Sequence, residues 1–405
     1  MTGFFDEREA QPPAARERDL FARLPAQLAH AKAASPFFSR VLADVDPARI
    51  TDRAALARLP VTRKSDLHEL QRALKPFGGL NATPPARLAR IFLSPGPIYD
   101  PEGRGADWWR AARTLHAAGF RAGDVVLNCF SYHLTPAGSM FETGLHHLGC
   151  AVIPGGVGQT ELQARAIVDL EPAGYVGTPS FLKLILEKAD ELCLATRSIR
   201  RAVVSGEAFL PPVRDFLATR GIEAFQAYGT ADLGLVAYET PAREGMVVNE
   251  DLLLELVRPG TGDPVADGEV GEIVVTTFNR DYPLVRFATG DLSAVLPGPS
   301  PCGRTNQRIR GWMGRADQTT KVRGMFVHPH QVAEVLKRHG LARGRLVVEN
   351  DAGEDRMTLH VEGLAGDPAA VEATLREVTK VRGTVRPAAS LPNDGKVIED
   401  ARNYS

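Results

Sequence analysis

Cysteine is scarce and scattered in this chain. Cys129, Cys150, Cys193 and Cys302 are the four in 405 residues, and no two stand in C-x-x-C spacing. That excludes a disulfide-built scaffold and a zinc ribbon, and suits reduced thiols in a cytosolic protein. Long apolar runs are also missing: none approaches the roughly 18 residues of a membrane-spanning helix. Neither charge sign dominates. Lys and Arg number 48 against 49 Asp and Glu, a formal net charge of −1. The chain therefore offers no broad field to nucleic acid or an anionic membrane, and neither is expected as a partner. Met1 to Ala10 lack a basic stretch leading into an apolar core, so no secretory signal is visible and a cytoplasmic location is expected. His146 and His147 are adjacent, and His328 and His330 have no third ligand nearby, so neither pair reads as a metal site. There are no internal repeats or low-complexity segments.

What is present is an ordinary globular composition, 44% hydrophobic and 24% charged, long enough for two to four domains at roughly 100–200 residues each. Leu20, Leu24 and Leu28 recur at helical spacing. Thr62 reads as the cap of a helix that follows Pro60. Asp107 to Ala118 carries Trp108, Ala112 and Leu115 on one helical face. Short apolar runs at Val125–Asn128, Ala151–Ile153, Tyr175–Gly177 and Ala202–Val204 then alternate with helical stretches at 161–170 and 181–192. Strands alternating with helices of this length predict parallel α/β layers. Past Tyr228 the texture changes to strands at 252–256 and 272–276 around a turn-rich link, Pro259 to Pro264, which reads as an antiparallel subdomain. From about Gln318 a small α+β unit is expected. Val332, Val335 and Leu336 mark one helix there, Val371, Leu375 and Val378 a second, and 346–348 and 357–361 read as strands.

Four short motifs carry chemistry. In Tyr228-Gly229-Thr230-Ala231-Asp232, a tyrosine can stack on a flat ring, a glycine admits a close ligand, and an aspartate can hold a divalent metal. By itself it also reads as a turn leading into a helix. In Tyr282 to Asp291, a carboxylate follows a tight Thr289-Gly290 turn, well placed for both hydroxyls of a ribose. Gly314-Arg315-Ala316-Asp317-Gln318 runs into Lys321-Val322-Arg323-Gly324, two basic clusters at the domain junction, where charge alone also fits a solvated linker. In Leu391-Pro392-Asn393-Asp394-Gly395-Lys396, a glycine lets a lysine reach out as a point charge toward a carboxylate or phosphate.

Taken together, in this order, these motifs resemble the adenylate-forming superfamily, and within it the phenylacetate–CoA ligase branch. The resemblance covers nearly the whole chain. It includes Leu59-Pro60-Val61-Thr62-Arg63-Lys64-Ser65-Asp66-Leu67, Ile153-Pro154-Gly155-Gly156, Thr178-Pro179-Ser180 and Ser205-Gly206-Glu207. It continues through Asn249-Glu250-Asp251, Gly271 to Thr277 and Cys302-Gly303-Arg304-Thr305. It implies an α/β fold: a large domain of layered α/β sheets with an antiparallel subdomain, binding AMP and the acyl group, over 1–316, and a small mobile α+β lid domain over 317–405. It implies an enzyme that uses ATP and Mg²⁺ to convert a carboxylic acid to an acyl-adenylate, then passes the acyl group to coenzyme A. A carboxylate is a poor electrophile until it gains such a leaving group, and phosphoryl chemistry depends on positioning and charge neutralisation. Carried over, Asp291 binds the ribose hydroxyls, and Gly206, Glu207, Tyr228 and Gly229 line the nucleotide and acyl sites. Thr230 meets the α-phosphate, and Asp232 holds Mg²⁺ where the family more often has Glu. Arg315 and Arg323 contact the nucleotide, Asp317 is the hinge, and Lys396 steadies the reacting carboxylate and α-phosphate. The relatives suggest a homodimer.

One segment departs from the family. A hydroxyl- and glycine-rich phosphate loop is replaced by Leu93-Ser94-Pro95-Gly96-Pro97-Ile98-Tyr99-Asp100-Pro101. Prolines have no N–H to offer a phosphate, and Asp100 and Glu102 add negative charge. Ser94 and Gly96 remain as donors, with Arg63 or Arg104 as substitute cations. Two readings follow: a divergent working ligase, or an adenylate-binding protein that has lost efficient ATP use. Tyr132, His133, Phe141 and Pro179 resemble acyl-site elements and suggest an aromatic or other bulky flat acid, although core packing accounts for each equally well. A carrier-protein thiol or an amine stands as an alternative acceptor to coenzyme A.

Overall fold

Alternation along four short strands decides the architecture. Successive strand residues point to opposite faces, and here both faces are apolar. In the computed structural model, which describes residues 3–94, 96–207, 209–313, 315–316, 318, 320–323, 325–327, 329–351, 354–364, 366–392 and 396–402, both faces are covered by helices. The chain divides into two compact units, Met1–Met313 and Gly314–Ser405.

The strands of the first unit are β1 (Thr62–Arg63), β2 (Arg90–Ser94), β3 (Ile98–Glu102), β4 (Val125–Asn128), β5 (Ala151–Ile153), β6 (Gly174–Gly177), β7 (Arg201–Val204), β8 (Glu223–Thr230), β9 (Gly234–Tyr238), β10 (Met246–Val248), β11 (Leu252–Val257), β12 (Val270–Thr277), β13 (Phe287–Leu296) and β14 (Arg308–Ile309). Twelve of them form one sheet in the order β11-β12-β13-β14-β10-β9-β8-β7-β6-β4-β5, with β1 added beside β13; β2 and β3 form a separate hairpin. The expected antiparallel part is therefore not a separate sheet. β8 pairs parallel with β7 and antiparallel with β9, and so joins the two regimes.

On one face Val126, Val176, Val203 and Phe225 pack with Leu115, Met140 and Phe141. On the other, Leu127, Tyr175, Ala202, Val204 and Ala224 pack with Leu182, Ile185 and Leu217. Each Val, Leu, Ile, Met or Phe among them contributes about 1.5–3 kcal/mol when fully buried, and helices on both faces are what a parallel sheet requires. The Leu20, Leu24, Leu28 stripe lies on the helix Pro13–Ala34 and is buried with Ile273, Val275 and Phe287 of the antiparallel strands. Two local expectations change. Thr62 is not a helix cap: it pairs with Phe287 in β1, and the helix begins at Leu67. Trp108 precedes its helix, which runs Ala111–Ala117, and Asp107 Oδ1 accepts from the N–H groups of Ala111 and Ala112.

The second unit has a four-stranded sheet built on the hairpin Gly344–Asp351 and Glu354–Glu362, flanked by parallel Thr384–Ala388 and Ile398–Asp400. Helices Pro329–Arg338 and Pro368–Thr379 bury Val332, Val335, Val371 and Leu375 with Leu346, Val348 and Leu359. No helix among the described residues is long and apolar enough to cross a membrane.

Candidate active site

Asp291 is placed by a break in strand register. On β12 and β13, Glu272 faces Leu292 and Val274 faces Ala288, so one residue of β12 opposes three of β13. Gly290 absorbs the extra length at φ 78°, a conformation that disfavours any side chain. The sequence suggested a turn here; the structure has a bulge inside a strand, which re-aims the following side chain. The Tyr228 hydroxyl donates to Asp291 Oδ2 at 2.9 Å, and the Trp312 indole donates to Oδ1 at 3.1 Å. Both carboxylate oxygens are thus oriented by neutral donors before any ligand arrives. Trp312 was not singled out from the sequence, because its contact with Asp291 depends on how the chain folds back beyond β14.

Tyr228 is itself positioned by a second bulge, between Tyr228 facing Ala237 and Gly229 facing Leu235. A Cβ on Gly229 would lie 2.7 Å from the Gly234 carbonyl oxygen. The glycine is needed for that backbone approach, rather than only to admit a ligand. Tyr228, Gly229, Asp291, Gly206 and Glu207 all line one cavity of about 480 Å³, with Phe209, Arg310 and Trp312 completing its wall. That volume suits a small ligand such as a nucleotide. Glu207 accepts from the N–H of Ser180, at the start of the helix Pro179–Glu191.

Thr230 and Asp232 lie at the tight connection between β8 and β9, not at a helix start. Thr230 Oγ1 accepts from Leu233 N at 3.1 Å. Asp232 is buried, and Lys64 Nζ donates to its Oδ2 at 2.5 Å. Lys64 belongs to a motif quoted above, yet its partner could not be read from spacing, since 168 residues separate the two. Asp232 Oδ1 has no partner. Neither Asp100 oxygen has one, nor does the Tyr282 hydroxyl, and all are buried. Burial pushes the Asp100 carboxyl well above the usual range and the Asp232 charge pushes it further, while the Ser94 hydroxyl and then Lys64 oppose. Burial, then Asp232 and Asp100, raises the Tyr282 phenol. These four side chains face one electrostatic neighbourhood. Among the described residues no three His, Cys, Asp or Glu side chains form a metal cluster, but orphaned hard oxygens on two carboxylates fit Mg²⁺, which takes one or two carboxylates and fills its shell with water or phosphate.

The proline-rich segment is the turn of the β2–β3 hairpin, closed by Ser94 Oγ donating to the Ile98 carbonyl at 3.2 Å. The negative charge that Asp100 and Glu102 were expected to add is turned inward. Asp100 points into the interior, and Glu102 is buried on Arg90 and Ser139. Arg63 is paired with Glu272, and Arg104 donates to the Arg87 carbonyl. Pro95 and Asp317 lie outside the described residues.

The residues expected around the acyl group do not line the cavity. Phe141 is core, stacked on Phe130 at 4.7 Å, and Pro179 is buried in the first turn of its helix. Tyr132 is partly exposed, its hydroxyl donating to Glu142 and accepting from Asn128, and His133 is exposed. In the second unit, Arg323 sits at a hairpin turn, its backbone N–H and side chain both held by Asp355. Arg315 is half-buried. Lys396 is exposed beside a cavity of about 250 Å³ with Arg343, Arg345 and Pro392.

This fold, with a buried carboxylate held by two donors on the wall of a nucleotide-sized cavity, is that of an adenylate-forming enzyme. Residues 106–279 match the family model described as AMP-binding enzyme. The chain is 32% identical to the phenylacetate–coenzyme A ligase of Aromatoleum evansii over 78% of its length and 74% of that protein. It is 31% identical to the Escherichia coli enzyme of the same name, over 84% and 80%. Its fold is similar to that of a 2-hydroxyisobutyryl-CoA ligase solved with its acyl-adenylate and CoA, at TM-score 0.75 and 25% identity, covering 98% of this chain and 92% of that one. The chain belongs to the phenylacetate–CoA ligase family.

Proposed function

We propose that this protein activates a carboxylic acid as an acyl-adenylate with ATP and transfers the acyl group to coenzyme A. The observation that carries the proposal is the Asp291 carboxylate, pre-oriented by Tyr228 and Trp312 on the wall of a nucleotide-sized cavity. An ionised acceptor held by two donors meets a vicinal diol without having to reorganise, and such charge-assisted bonds are the stronger kind. In this reading Asp232 holds Mg²⁺, which supplies charge neutralisation to the phosphates. Thr230 meets the α-phosphate, Arg315 and Arg323 contact the nucleotide, Asp317 is the hinge, and Lys396 neutralises the reacting carboxylate and α-phosphate. The acid is aromatic or similarly flat, in keeping with the name of the A. evansii relative. The protein is cytoplasmic, acts as a homodimer, and works on a free small-molecule acid.

The test is acid-dependent pyrophosphate exchange into ATP over a panel of aromatic and aliphatic acids, with wild type and Lys396→Ala. Exchange that depends on the acid and collapses in the variant supports the proposal. AMP binding without exchange for any acid sinks it, and favours the reading in which the altered hairpin has cost the protein its use of ATP.

A further inference from the structure

We infer that Asp100 and Asp232 together form a divalent-cation site, with Asp100 supplying a ligand that the Tyr228–Asp232 motif does not contain. The inference rests on the ligase reading for the cation's purpose, and deepens it.

Asp100 lies on β3 opposite Phe92 and is fully buried. A carboxylate there costs several kcal/mol unless something positive or protic meets it. Neither of its oxygens has a hydrogen-bond partner of good geometry; the Ser94 hydroxyl, which also acts on this carboxyl, is turned to the Ile98 carbonyl. The ammonium in the neighbourhood is that of Lys64, which is hydrogen-bonded to Asp232 Oδ2. One ammonium against two carboxyl groups leaves the pair short of one positive charge, which a metal ion or a proton can supply. The atoms left without partners are Asp100 Oδ1 and Oδ2, Asp232 Oδ1 and the Tyr282 hydroxyl. All are hard oxygens, the donor type Mg²⁺ and Mn²⁺ prefer, and two carboxylates with room for water or phosphate is an ordinary Mg²⁺ arrangement.

The sequence context gives the site a reason to exist. The β2–β3 turn lacks the hydroxyls and N–H groups that would cradle a polyphosphate, and the strand leaving that turn carries the extra acid. A cation held by protein carboxylates offers the phosphates positive charge where the turn offers few donors. It also steadies the hold of Asp232, which is one methylene shorter than Glu. The competing occupant of the Asp100 oxygens is a proton, which would make it a neutral buried acid.

The experiment uses the full chain, stripped of metal by a chelator and free of nucleotide. MnCl₂ is titrated in, and free Mn²⁺ is read from its paramagnetic resonance signal. Wild type is expected to take up a single Mn²⁺, displaceable by Mg²⁺, and Asp100→Asn to weaken that uptake by at least about tenfold, the lower end of what disturbing even an outer-shell partner costs. MnCl₂ should raise the melting temperature of wild type and leave that of Asp100→Asn unmoved. Calorimetry with AMP should give both proteins the same affinity, which shows the variant to be folded; Asp100→Ser serves if the amide does not fit. Equal Mn²⁺ uptake by wild type and variant overturns the inference. So does a wild type that binds AMP but no Mn²⁺, or a metal-free Asp100→Asn that melts higher than a wild type indifferent to Mn²⁺, the signature of a proton. A wild type that takes up Mn²⁺ through Asp100 but binds no AMP supports the cation site and sinks the ligase reading.

Discussion

Replacing Asp291 by alanine probes the AMP half of the site. The carboxylate accepts from Tyr228 and Trp312, and a ribose would bring two further hydroxyls to an ionised acceptor. Hydrogen bonds to a charged group contribute about 1.5–3 kcal/mol each, so the loss on binding is about 3–6 kcal/mol. At about 1.4 kcal/mol per decade, AMP affinity should fall by about two to four orders of magnitude. The effect on stability should be much smaller. The Tyr228 hydroxyl keeps Thr289 Oγ1 at 3.3 Å, and Trp312 is 50% exposed, so its indole can turn to water. The cost is about 1–2 kcal/mol, that of one weakened buried bond. Isothermal calorimetry with AMP, paired with a denaturant melt, reads both quantities. Tyr228→Phe should weaken AMP by less than Asp291→Ala, because it removes only one of the donors that orient the carboxylate. An Asp291→Ala protein that is folded and binds AMP within about threefold of wild type would refute the placement of the ribose.

Lys64→Ala leaves the buried Asp232 without its ammonium, and should destabilise the fold by about 3 kcal/mol in urea melts, the low end for a broken buried pair because Lys64 is a quarter exposed. Gly229→Ala places a Cβ 2.7 Å from the Gly234 carbonyl oxygen. It should cost about 1–3 kcal/mol and weaken AMP through the displaced Tyr228, seen as a lower melting temperature and a higher Kd. Burial works against ionisation of Asp6, but the hydrogen bonds and charge of Arg113, followed by those of Arg8, prevail and hold its carboxyl at about 2 rather than 3.8. A depressed carboxyl stabilises above its unfolded pKa, so this contribution is present above pH 4 and lost as pH falls from about 4 to about 2. Asp6 is partly exposed, so screening limits the contribution to about 1 kcal/mol, and the difference between wild type and Asp6→Asn in melts at pH 7 should vanish near pH 2.

Much of this could be read in one dimension. The unbroken apolar runs through Val126-Leu127 and Tyr175-Val176 announce strands covered on both faces, and the Leu20, Leu24, Leu28 stripe announces the helix that covers the antiparallel strands. Tyr228 and Asp291 stand out because each sits in a short motif, and the structure brings both to one cavity wall with Gly206. What was not legible depends on register and long-range approach. The bulge at Gly290 is fixed by which residue of β12 faces which of β13, and no local pattern reports that. Lys64 and Asp232, or Trp312 and Asp291, meet only once the sheet is assembled. Thr62 looked like a cap because its side chain suits one, but pairing with Phe287 overrode that local preference. Asp100 reads as negative charge beside a phosphate loop because it follows the turn closely in sequence; its burial on β3 turns that charge inward.

The most direct test of the central claim is product analysis by mass spectrometry after incubation with ATP, Mg²⁺, coenzyme A and a panel of carboxylic acids. The account predicts AMP and acyl-CoA in equal amounts with an aromatic or similarly flat acid, and neither product when the acid is omitted. No AMP and no thioester from any acid, in a protein that still binds AMP through Asp291, would contradict it.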